Sequence, residues 1–149
     1  MFKHFFGVFC LILTANFNIV CGQTKFVKPP FDLSTQIIND LLLDKRGFLW
    51  IATDLGVSRF DGIDIVNFIS PDQSSLAVYN LREDIQGKIW FSNYTGQIFY
   101  INNEQMHLLK AFKSENETIL PRIETYNNKL FVTTDKGLYI LNTTTLQLK

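Results

Sequence analysis

One phrase occurs twice in this chain of 149 residues, and its spacing restricts the fold more than any other feature. Residues 44–60 read Asp-Lys-Arg-Gly-Phe-Leu-Trp-Ile-Ala-Thr-Asp-Leu-Gly-Val-Ser-Arg-Phe, and residues 84–100 repeat the plan with Trp90 in the place of Trp50. Aligning the two tryptophans also aligns Asp44 with Asp84, Gly47 with Gly87, Gly56 with Gly96 and Phe60 with Tyr100. A weaker third copy at 128–140 puts Phe131 in the Trp position and Gly137 in that of the last glycine, after nearly the same interval from Gly96. Short apolar runs split by turn glycines at such a period mark stacked β units.

Each copy reads as four short strands. The first copy predicts strands over 37–43, 48–53, 57–60 and 65–69, with turns at Gly47, Gly56 and the Asp61-Gly62 pair. Asp-Gly is a tight-hairpin signal, because glycine accepts the positive φ of a type I′ turn. The second copy predicts 78–83, 88–93, 97–101 and 106–112, and the third 122–126, 130–134, 138–141 and 146–148. Asn127-Asn128 replaces the glycine turn in the third copy, asparagine being the next residue to tolerate left-handed backbone. The expected fold is therefore all-β, a partial β-propeller of about three four-stranded antiparallel blades after an N-terminal signal helix. The corresponding boundaries are a signal peptide at 1–22, a lead-in at 23–36, and blades at 37–72, 73–113 and 114–149, the last of these incomplete if the chain continues.

The strand around each Trp is apolar on both faces, with Phe48, Trp50 and Ala52 on one and Leu49 and Ile51 on the other. A half-solvated strand would alternate, so this one is expected to be covered on both sides, as a blade between two neighbours is. Propellers close with roughly four to eight blades. Three leave an apolar face bare at each end, so the expectation is the opening part of a longer protein, with association between copies as the alternative. Taken alone, the chain is expected to self-associate.

The segment 1–22 has the anatomy of a secretory signal: Lys3 and His4, an apolar run from Phe5 to Leu13, then Val20-Cys21-Gly22 before Gln23. The run is shorter than the roughly 20 residues of a membrane span. Cleavage after Gly22 is expected, with a retained anchor as the alternative. Asn18-Ile19-Val20 lacks the small residues that precede a lipidated cysteine. Cys10 and Cys21, the only cysteines, would leave with the leader, so neither a disulfide framework nor a thiolate site is expected. The 14 basic residues less Lys3 face 14 acidic ones, a charge near −1 that gives no electrostatic reason for nucleic-acid binding.

Candidate chemistry is sparse. His107 has no second His or Cys beside it after cleavage and lacks the helical signature of a phosphoacceptor, so it reads as a surface histidine on an edge strand. Asp44, Asp54, Asp61, Asp64 and Asp84 fall at turns and recur with the repeat, as turn-capping carboxylates do and a catalytic pair does not. There is no calcium-loop spacing, nucleophile elbow, phosphate loop or dinucleotide fingerprint. Three Asn-x-Thr triplets, at Asn93, Asn116 and Asn142, read as incidental. No catalytic, metal or cofactor-binding residue is expected, and no ligand-binding residue can be named from the sequence.

The stretch from Ile38 to Gly62, Ile-Asn-Asp-Leu-Leu-Leu-Asp-Lys-Arg-Gly-Phe-Leu-Trp-Ile-Ala-Thr-Asp-Leu-Gly-Val-Ser-Arg-Phe-Asp-Gly, closely resembles the two-component regulator propeller repeat. Thr53-Asp54-Leu55-Gly56 and Arg59-Phe60-Asp61-Gly62 match its two turn signatures without gaps. The second copy lacks the Arg-aromatic-Asp-Gly ending, and the third lacks both Asp and Trp. The resemblance implies the exported sensory half of a membrane sensor histidine kinase or hybrid two-component system of Bacteroidetes-type bacteria. It further implies a periplasmic ligand, a carbohydrate by analogy, and a non-catalytic role for these residues. An interaction scaffold, a truncated remnant and part of a propeller carbohydrate-active enzyme are the competing readings. The expected partners are that ligand and either further blades or another copy of the chain.

Overall fold

The computed structural model describes Thr35 and residues 37–112 and 120–147. The leader, both cysteines, most of the lead-in and the polar segment 113–119 lie outside the described residues. Eleven strands and no helix are described, arranged as three antiparallel sheets in chain order. The first is β1 (Ile38–Leu43), β2 (Leu49–Thr53), β3 (Gly56–Phe60) and β4 (Ile65–Phe68). The second is β5 (Val78–Glu83), β6 (Ile89–Asn93), β7 (Gln97–Asn102) and β8 (Gln105–Ala111). The third is β9 (Arg122–Tyr126), β10 (Lys129–Thr134) and β11 (Gly137–Asn142). Each sheet is a meander of sequential hairpins, so every connection is local and the chain stacks one sheet upon the last.

Packing follows from the apolar residues on both faces of the Trp strands. Trp50, Ala52, Val57 and Phe68 of the first sheet bury against Leu81, Ile89, Phe91 and Phe99 of the second. The opposite face of the second sheet, Trp90 and Ile98, buries against Ile123, Leu130, Val132 and Leu141 of the third. Trp50 is 1% exposed and Trp90 0%, so each indole is sealed by the next sheet. Burying such a side chain removes about 150–250 Å² from water, worth roughly 4–6 kcal/mol at ~25 cal/mol per Å². Acrylamide is expected to quench the folded protein's tryptophan emission weakly; quenching as strong as that of free tryptophan would contradict the interleaved arrangement.

The register corrects three details of the sequence reading. Asp61-Gly62 does not form a two-residue hairpin: Phe60 pairs with Ile65, leaving a four-residue loop in which only Gly62 has positive φ. The Asp61 carboxylate closes that loop by accepting the Ile63 and Asp64 amides at 2.8 and 2.7 Å. The Asp64 and Ile63 hydrogen bonds hold its carboxyl below the usual value. The true type I′ hairpin lies between β7 and β8, where Asn103 and Glu104 both have positive φ. The expected fourth strand of the third sheet does not form at Leu146 and Gln147. The Asn142 side chain accepts the Thr144 and Thr145 amides, curling the chain into a turn that ends at Leu146 with φ 58°.

Aligned glycines also conceal a shift. The first sheet turns from β2 to β3 in two residues, Thr53 pairing with Gly56. The second adds one residue, so that Ser92 pairs with Ile98 and Gly96 stays in the turn with φ 81°. The neighbour of Trp50 on β3 is therefore Arg59, whereas Tyr100 flanks Trp90 on β7. Phe60, the residue aligned with Tyr100 in sequence, falls on the other face.

Candidate functional site

The turn aspartates do more than cap. Asp44 Oδ1 accepts the Arg46 and Phe48 amides at 3.0 and 2.9 Å, and its Oδ2 accepts the Trp50 indole N–H at 2.9 Å. Asp84 repeats this with Gln86, Lys88 and Trp90 at 2.9, 3.0 and 2.9 Å. The carboxylate thus ties the turn to the indole on the following strand, which explains why Asp and Trp recur together. Burial pushes the Asp44 carboxyl up, and hydrogen bonds from the Trp50 indole and the Phe48 and Arg46 amides, aided by the Arg46 charge, outweigh it and hold it below the usual value. The third copy has neither partner: its turn contracts to Asn127-Asn128, and Phe131 stands in the indole position.

Asp54 and Asp64 depart from the capping expectation. At the β2–β3 turn Thr53 does the work, its hydroxyl accepting the Leu55 amide and donating to the Gly56 carbonyl, while Asp54 Oδ1 is buried with no hydrogen-bond partner. Asp64 contributes its backbone, its amide donating to Asp61 and its carbonyl accepting the Asp61 N–H. His107 lies on β8, the outer edge strand, stacked on Tyr100 with centroids 4.9 Å apart. Among the described residues no three His, Cys, Asp or Glu side chains group together.

Strands β1, β5 and β9 carry several of the polar contacts between sheets. Asp40 Oδ2 accepts the Leu81 amide at 2.8 Å, and Asn80 Nδ2 donates to the Pro121 carbonyl at 3.1 Å. Thr125 Oγ1 donates to the Glu83 carbonyl at 2.9 Å. Arg82 joins the second and third sheets through Glu124 at 2.9 Å and reaches back toward Asp40 at 3.7 Å. Along β5 and β9 runs a groove of about 690 Å³ lined by Tyr79, Asn80, Arg82, Arg122, Glu124 and Phe131, among others. That size falls within the range of small-molecule sites, for which aromatic walls with a few charged groups are a common make-up. A smaller cavity of about 290 Å³ lies between the first two sheets, but its cations are already engaged. Arg59 there stacks 4.7 Å from the Phe48 ring centroid and pairs with Glu104 at 2.9 Å.

The sequence names none of the groove residues as a ligand-binding candidate, and marks Phe131 only as the occupant of the Trp position in the third copy. A signal existed in the repeat: the inner-strand position opposite the Trp slot reads Leu42, Arg82 and Glu124, so the copies turn from apolar to charged there.

Known proteins match this geometry. The family model described as two component regulator propeller matches residues 32–54, the span of β1, its turn and β2. The first copy of the repeat is thus matched, as far as residue 54, by the two-component regulator propeller model. The fold superposes on the extracellular domain of a B. thetaiotaomicron protein described as a hybrid two component system, with a TM-score of 0.63 and 20% identity over 78% of this chain and 16% of that one. A second such domain from the same organism matches with a TM-score of 0.55 and 25% identity, over 74% of this chain and 15% of that one. Virginiamycin B lyase from Staphylococcus aureus matches with a TM-score of 0.53 and 19% identity, over 75% of this chain and 44% of that one. The chain thus spans less than half the length of each of these three structures. No curated protein matches the chain significantly. The architecture is that of β-propeller blades, in a domain similar to the extracellular domains of hybrid two-component systems.

Proposed function

We propose that this chain forms blades of an exported, periplasmic propeller that senses a ligand for a two-component sensor histidine kinase, giving signal input without catalysis by its own residues. The tandem Asp–Trp blade carries this reading, because its first copy matches the two-component regulator propeller model and the stack follows two hybrid two-component extracellular domains. The groove along β5 and β9 is the place for the ligand, since it combines exposed charge with two aromatic walls. The phosphorelay steps belong to the parent protein. The lyase likeness rests on 19% identity and speaks to fold alone.

A scaffold reading draws support from one observation. Leu41 and Leu43 of the first sheet, and Tyr126 and Leu138 of the third, are exposed apolar residues at the two ends of the stack. The deciding experiment deletes codons 37–147 in frame in the source bacterium and profiles transcripts across carbon sources. Loss of induction on one class of carbon source is expected. Unchanged induction on every source, with the deleted protein still made, would remove the sensory reading and leave the scaffold.

A further inference from the structure

We propose that the cavity between the first two sheets is a second binding site, taking a small monocarboxylate with an apolar body whose carboxylate displaces Glu104 from Arg59. The inference goes beyond the sensory reading and does not rest on it. Both walls belong to consecutive sheets, and the space of about 290 Å³ is closed at its inner end by the buried side chains of Trp50, Ile89 and Ile101.

The charge would be taken by an arginine that is only half used. The Arg59 side chain is 12% exposed, and its Nη2 donates to Glu104 Oε1 at 2.9 Å. Its Nε is buried without a hydrogen-bond partner among the described residues. Nε and Nη2 donate along the same edge of the guanidinium, the fork that grips both oxygens of a carboxylate at once. Glu104 takes one prong and leaves the other bare. An unmet buried donor is costly, so a carboxylate that serves both prongs holds an advantage over the one in place.

Glu104 is suited to leave. Its side chain is 69% exposed, and it sits at the last turn position of the β7–β8 hairpin with φ 62°, a place that glycine usually takes. Returned to water, such an exposed carboxylate gives up little. Arg59 is meanwhile held by rings, 4.7 Å from the Phe48 centroid and 5.8 Å from that of Trp50.

The repeat supplies an internal comparison. At the same corner of the second seam, Thr143 Oγ1 donates to Gln86 Oε1 and Gln86 Nε2 to Thr144 Oγ1, both at 3.0 Å. Lys88 Nζ donates to the Thr143 carbonyl and lies over the Tyr100 ring. In the first seam Arg46, Phe48 and Arg59 stand where Gln86, Lys88 and Tyr100 stand in the second. The half-used arginine is therefore not something that stacking demands.

Charge and lining set the class of ligand. Arg46 is met by Asp44 at 3.3 Å, and Lys45 lies beside Glu83, whose carboxylate accepts the Lys45 amide. Once Glu104 has left, Arg59 is the one uncompensated charge, which matches a monoanion and disfavours a dianion. Ile85, 62% exposed on the β5–β6 turn, and Ile101 offer apolar surface to the body of the ligand.

The test is isothermal titration of the full chain with benzoate, its neutral isostere benzamide, acetate and sulfate, repeated with Glu104→Gln and Arg59→Gln. Benzoate is expected to bind about tenfold or more tighter than benzamide, as a charge-assisted fork implies. Glu104→Gln removes the competing carboxylate and keeps the turn, so benzoate should bind about two- to fivefold tighter and benzamide no differently. A merely structural Arg59–Glu104 bridge predicts no such gain. Arg59→Gln should abolish the preference for benzoate; if that variant does not fold, the gain from Glu104→Gln decides alone. Equal binding of benzoate and benzamide, benzoate binding that Glu104→Gln leaves unchanged or weakens, or a benzoate preference that survives Arg59→Gln would each overturn the site. Acetate or sulfate bound as tightly as benzoate means an unselective anion site and overturns it too, as does the absence of binding by every probe. The sensory reading is judged separately, by the in-frame deletion.

Discussion

Asp84→Ala is expected to destabilise the protein by about 3 kcal/mol, and Trp90→Ala by about 3–5 kcal/mol. Removing the carboxylate strands the indole N–H in the interface, where Trp90 is fully buried, and strips two turn amides of their acceptor. An unsatisfied buried donor costs about 1–3 kcal/mol. Asp84→Asn is not conservative: its single oxygen can serve the Gln86 and Lys88 amides or the indole, and its NH₂ then faces whichever donor remains. Its cost should approach that of Asp84→Ala. The two side chains are coupled, so Asp84→Asn combined with Trp90→Phe should cost at least ~1 kcal/mol less than the sum of the single changes. Urea unfolding of the four proteins completes the cycle, and strict additivity would mean that the carboxylate–indole bond contributes nothing. The third copy already resembles the double variant, with Phe131 in the slot and a contracted turn.

Gly96→Ala is the second large expected effect, at about 2–4 kcal/mol, combining left-handed strain with overpacking. Gly96 has φ 81°, and a Cβ there would meet the Phe112 carbonyl oxygen well inside van der Waals contact. That oxygen belongs to backbone held in place and cannot swing aside, since the Phe112 amide donates to the Gly96 carbonyl at 2.9 Å. Gly47→Ala is the control: φ is 88°, but no atom lies within 4 Å of the added methyl. It should cost only the conformational term of roughly 1–2 kcal/mol. Thermal melts of the two variants separate the cases, and equal losses would show that the clash at Gly96 relaxes freely.

The sheet plan was legible in the sequence because period-2 apolar runs and turn residues are local signals. Strands β5 and β9 match their expected ranges to the residue, and most others differ by a position at one end or both. The tryptophans' burial followed from the lack of polar alternation around them. The second role of Asp44 and Asp84 was not legible, since turn capping alone accounts for their position and only coordinates bring the indole to Oδ2. The difference between the β2–β3 and β6–β7 hairpins was hidden by glycines that align in sequence yet occupy different turn positions. The groove escaped for a further reason. Its walls come from different copies of the repeat, and a contact between Arg82 and Glu124 has no local signature.

Among the described residues the second sheet alone is packed on both faces, against the first sheet on one and the third on the other. Energetically the chain behaves like a short row of dominoes, in which every tile leans only on the next. Fraying would begin at the outer tiles and run inward, leaving β5–β8 as the last region to surrender its amide protons to solvent. A solvent-exposed change on the first sheet should then scarcely be felt on the third, whereas one buried in the middle would loosen both seams at once.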